Sequence, residues 1–122
     1  MTGETVRIGL VVRSAPYCGR SGRDQLDLAL AAASMGYEVE LFFTGPGALQ
    51  LLPGQQPESA GLPPGIRGWP SLVELGPVHA WVLEDQHQEL CALAREFTLE
   101  LQPATGEMLA ERIARCDHVV VA

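Results

Sequence analysis

Residues 14–27, SAPYCGRSGRDQLD, set a cysteine between a proline and two glycines, close to two arginines and just ahead of a helical pattern. A thiol beside a helix N-terminus and cationic side chains can ionise early and act as a nucleophile. The geometry of a phosphate-binding cysteine loop is not matched, because only four residues separate Cys18 from Arg23 where five are needed. Gly19 and Gly22 are wrongly spaced for a dinucleotide fingerprint, and no acidic residue ends the second predicted strand. Cys18 therefore reads first as a small residue in a turn, with a reactive thiol as the alternative. His87 and Cys91 stand four apart, so one helix face can present both to a metal; no third or fourth ligand follows at a usual spacing. Glu84 and Asp85 are adjacent acids that point apart, with no nucleophile beside them. His79 and His118 adjoin predicted strands and read as structural, and Cys91 and Cys116 fall beside apolar helix stripes, where a cysteine acts as a small buried hydrophobe. No triad, metal site or cofactor site can be assembled.

Composition narrows the chemistry further. All eight positive charges are arginines, so Schiff-base lysine chemistry and the P-loop lysine are both excluded. A net charge of −7 argues against independent binding to nucleic acid or to an anionic membrane. No apolar run approaches the roughly 20 residues of a membrane helix. The N-terminal MTGETVRIGL lacks the basic-then-apolar layout of a signal peptide, which predicts a cytoplasmic protein. Three cysteines without short spacings do not form a disulfide framework. With 122 residues, 47% of them hydrophobic, the chain suits one domain with a substantial core.

The elements that would position these residues follow from periodicity. VRIGLVV, residues 6–12, is nearly continuous in apolar character, as in a strand buried on both faces. Ser21 and Asp24 mark a helix start, Leu26, Ala29, Leu30 and Ala33 its buried stripe, and Gly36 its end. EVELFF, residues 38–43, is a second strand, so the two strands and their helix make a parallel βαβ unit. Seven prolines and seven glycines then fall between Thr44 and Pro77, allowing only short helical pieces. Leu49, Leu51, Leu52 and Trp69 give that stretch apolar area that either packs on its own domain or meets a partner. A third strand is expected over 78–83, a helix over 85–96 with Leu90, Leu93, Ala94 and Phe97 inward, and a strand over 97–101. Thr105 caps a last helix before the strand HVVVA. The sum is a single α/β domain over 1–122: three layers, α/β/α, around a mainly parallel five-stranded sheet.

Taken together, these features resemble the TusC/DsrF branch of the DsrE-like family. The first strand ends in Ser14-Ala15-Pro16, and Gly22-Arg23 with an acid and then Leu26-Asp27 open the helix. Phe42-Phe43 closes the second strand, followed by Gly47, Gln50-Leu51-Leu52-Pro53-Gly54-Gln55 and Pro57. The likeness covers residues 7–57 and resumes at AWVL and ARCDHVVVA.

The resemblance implies a subunit of a sulfur-relay complex that passes persulfide sulfur toward 2-thiouridine in the tRNA wobble position, or serves sulfur oxidation. Its implied partners are TusB/DsrH-like and TusD/DsrE-like subunits in a hetero-oligomer. In such complexes the sulfur-carrying cysteine of the TusD/DsrE type follows the third strand, and the corresponding position here is Leu83. The expectation is thus a non-catalytic subunit with no catalytic, cofactor or metal residues of its own, binding neither nucleic acid nor membrane. Two alternatives remain beside it: a sulfurtransferase with Cys18 as persulfide carrier, and a self-assembling regulatory α/β module.

Overall fold

The computed structural model describes residues 6–13, 21–51, 69, 71–93, 97 and 99–121. Five strands form one sheet in the order β4-β3-β2-β1-β5, and every neighbouring pair is parallel. They are β1 (Arg7–Val12), β2 (Glu38–Phe43), β3 (Val78–Leu83), β4 (Leu101–Ala104) and β5 (His118–Val121). Between them run α1 (Ser21–Ser34), a 3₁₀ helix (Gly45–Leu51), α2 (Leu72–Leu75), α3 (Glu84–Cys91) and α4 (Gly106–Ala114).

The topology dictates which helix covers which face. The chain steps from β1 to β4 in one direction, then returns across the sheet to place β5 beside β1. Right-handed crossovers require the returning helix to lie on the opposite face from the others. Accordingly Leu26 and Ala29 of α1, Leu51 of the 3₁₀ helix, Leu72 of α2 and Leu90 of α3 pack with Leu10, Val12, Leu41, Phe43 and Val82. On the other face, Leu109 and Ile113 of α4 pack with Phe42, Trp81 and Ala104.

Local chemistry ends the elements where the sequence places the signals. Gly36 takes φ +87° after α1, a conformation that a side chain resists. Thr105 Oγ1 accepts from the Met108 N–H at 3.1 Å and caps α4. Gly47 is required for space: a Cβ there would lie 2.0 Å from the Val12 carbonyl oxygen. The 3₁₀ helix can thus press against the end of β1, next to the bond from the Thr44 N–H to the same oxygen.

One open alternative is decided and three sequence expectations need correction. Leu51 and Trp69 do not face a partner: both are wholly buried, and Trp69 meets Phe43 edge-on with ring centroids 5.4 Å apart. Leu52 lies outside the described residues, as does the side chain of Leu49. The fourth strand is Leu101–Ala104 and not 97–101, because Leu99 and Leu101 turn into the core while pairing with β3 begins at Leu101. The third helix ends at Cys91, and Leu93 lies exposed beyond it. Cys91 is exposed, not a buried hydrophobe.

Candidate functional site

Two places in the molecule gather side chains that could do chemistry. The first lies beneath α4. Glu40, in the middle of β2, is completely buried, although its neighbours Val39 and Leu41 are core residues of the opposite face. Burying a carboxylate is costly unless it is paired and hydrogen-bonded. Here Oε1 accepts hydrogen bonds from Trp81 Nε1 at 3.1 Å and Arg112 Nε at 3.1 Å, and Arg112 Nη2 stands 3.0 Å away as an ion-pair contact. The Arg112 guanidinium also lies over the Trp81 ring, 4.9 Å from its centroid. The other oxygen, Oε2, has no hydrogen bond, and His79 Nε2 stands 3.9 Å from it.

This network ties α4 to the sheet. Of that helix only Leu109 is a buried apolar residue, so the Arg112–Glu40 link adds an anchor that hydrophobic contact alone does not supply. Cys116 follows α4 and sits half-buried against Gly9, where a Cβ would come within 2.8 Å of its Sγ. Its thiol donates to the Arg112 carbonyl at 3.5 Å. Burial and then the Glu40 carboxylate push the Cys116 thiol above its usual range, outweighing Arg7 and Arg112. A cysteine held that way is a poor nucleophile.

The second place is the carboxyl edge of the sheet, where β3 passes directly into α3. Open α/β sheets use this edge for ligands. Leu83 occupies the N-cap of α3 and makes no side-chain cap, while Glu84 and Asp85 stand in the first turn. Acids there favour the positive helix end, which accounts for that pair without catalysis. Leu83, Asp85, Gln86, Glu89, Leu90, Leu93 and Gly45 line a groove of about 440 Å³. The Gln86 amide is already committed to the Gly45 carbonyl.

The residues singled out from sequence do not converge. His87 Nδ1 and Cys91 Sγ approach to 3.7 Å, yet among the described residues no group of three His, Cys, Asp or Glu could hold a metal. His118 is exposed on β5, and Cys18 lies outside the described residues. Sequence reasoning missed Glu40 and Arg112, although an acid in the middle of the apolar run VELFF is a visible signal for the first of them. Among the described residues, no helix is long and apolar enough to cross a membrane.

An all-parallel five-stranded sheet with one returning helix defines a small, doubly wound α/β domain. The sequence profile of the DsrE/DsrF-like family matches residues 6–122, and the chain belongs to that family. Within it the similarity runs to the TusC branch. The chain is 28% identical over 115 residues to a Protein TusC homolog of Aliivibrio fischeri, covering 94% of this chain and 98% of that protein. It is likewise 28% identical over 115 residues to Protein TusC of Escherichia coli, covering 93% and 97%. A shorter match, 41% over 51 residues, links it to Protein TusC of Klebsiella pneumoniae, covering 42% and 43%. The crystal structure of the ychN protein from E. coli shares the fold, with a TM-score of 0.78 at 20% identity over 97% of this chain and 100% of that one.

Proposed function

We propose that this chain is a non-catalytic subunit of a cytoplasmic sulfur-relay complex that supports persulfide transfer for 2-thiouridine synthesis at the tRNA wobble position. TusB/DsrH-like and TusD/DsrE-like subunits are its partners, and it neither binds tRNA directly nor carries sulfur. The observation that carries this reading is Leu83. It stands at the carboxyl end of β3 and the N-cap of α3, where a thiol would gain acidity from the helix end. Leucine cannot hold a persulfide. Nor do the described cysteines replace it: Cys116 is half-buried with its thiolate disfavoured, and Cys91 lies a helix length away.

The test is radiolabelled sulfur retained on this chain after the reconstituted complex reacts with a persulfide donor. No label is expected on it, and Cys18→Ser should leave transfer near wild type. Label on the wild-type chain that disappears with Cys18→Ser, together with activity, would make Cys18 the carrier and overturn the reading.

A further inference from the structure

The groove at the carboxyl edge is unexplained by the fold's own needs. Leu83 is 41% exposed and Leu93 65% exposed, and both line the hollow together with the buried Leu90. A helix N-cap favours Ser, Thr, Asp or Asn, so an uncapped leucine there forgoes a local stabilisation. Along the wall, Asp85 and Glu89 stand four residues apart, both exposed. Like charges at that spacing repel and weaken a helix. Helix α3 contains three acids and no Lys or Arg to offset them.

The exposed leucines and the unbalanced acids have one common remedy. A segment that brings apolar side chains onto Leu83 and Leu93, and cations between Asp85 and Glu89, would relieve both together. We propose that this groove is a docking site for a basic, apolar-anchored segment of a protein partner. An anionic ligand is disfavoured, because the lining offers two carboxylates and its single side-chain amide is bonded to Gly45. A second copy of this chain is disfavoured as well, since its net charge is −7. The volume of about 440 Å³ falls within the range of sites that bury a small ligand, room enough for a few side chains. The inference rests on the chain being an assembly subunit, and it names which surface and which partner chemistry serve that role.

The probe is acetyl-Arg-Leu-Arg-Leu-Arg-amide, titrated into the full chain at physiological salt while backbone amide NMR shifts are followed. Two counterparts accompany it, one with glutamates for the arginines and one with serines for the leucines. Shifts should concentrate on residues 83–93, and each counterpart should bind at least about fivefold more weakly. Leu93→Ser and the pair Asp85→Asn with Glu89→Gln should each weaken the first peptide by a similar factor. Removing two acids from α4 instead, Glu107→Gln with Glu111→Gln, should leave it nearly unchanged. Equal loss from the two double variants, equal binding of the serine peptide, or shifts away from α3 would each overturn the proposal. Those outcomes leave the sulfur-label result untouched, so the groove and the subunit reading can fail separately.

Discussion

On one face of the sheet, three α-helices and a 3₁₀ helix cover Leu10, Val12, Val39, Leu41 and Val82 with mainly apolar side chains, and Trp69 closes the layer against Phe43. On the other, α4 is the one helix that packs among the described residues, and the middle of that face holds Glu40. The first face owes its stability to area removed from water, which is non-directional and tolerant of small shifts. The second adds a directional lock: two hydrogen bonds and an ion-pair contact converge on one carboxylate oxygen from a strand and a helix that are far apart in sequence. Apolar packing decides that the sheet is covered. The buried charge fixes where α4 sits, and with it the approach to β5.

The sharpest way to break the first face is Trp69→Ala. The side chain is entirely buried, so truncation leaves a cavity and should cost about 3–5 kcal/mol. Chemical denaturation of the isolated chain would measure it. A loss below about 1 kcal/mol would return Trp69 to the partner-facing role, the other of the two that its segment leaves open in the sequence.

The second face should respond differently to single and paired changes. Arg112→Met strands the Glu40 carboxylate in the core. The expected loss is about 2–3 kcal/mol, below the ~3–5 of a fully buried pair because Arg112 is a quarter exposed. Adding Glu40→Met should recover most of it, since apolar replacement of a buried ion pair is often neutral or stabilising. The double-mutant cycle isolates the coupling. If the two losses simply add, the ion pair is not what holds α4.

Why one face was legible in the sequence and the other was not follows from this contrast. Apolar runs and helical stripes are local patterns, so β1, β2, β3, β5, α1 and the Thr105 cap emerged from short windows of residues. β4 was displaced because Leu99 and Leu101 alternate like a strand, whereas the actual ladder runs through Pro103, a residue tolerated at a sheet edge. The Glu40–Arg112 pair spans 72 residues, and nothing near Arg112 marks it as different from the other arginines. Trp69 and Leu51 looked like surplus apolar area because the prolines around them read as surface loop. The groove is half visible in the sequence: Glu84 and Asp85 stand out as adjacent acids, but the exposure of Leu93 depends on where α3 stops.

The finest test of the comparison uses its two described cysteines. Cys91 ends α3 and is exposed, whereas Cys116 follows α4 and packs beside Gly9 under the charged lock. In a Cys18→Ser background at pH 8, iodoacetamide should label Cys91 at least about tenfold faster than Cys116, read by mass spectrometry of the peptides. Stability should carry a matching signature. The folded Cys116 thiol has a raised pKa, so above the ordinary thiol range, about 8.5, the unfolded chain loses this proton first. Its contribution is therefore complete below that range and declines as pH rises through it. The stability of the wild type relative to Cys116→Ala should hold constant to about pH 8 and then fall by pH 10. A difference that stays flat, or grows with pH, would mean that the thiol does not feel Glu40 and the burial that α4 imposes.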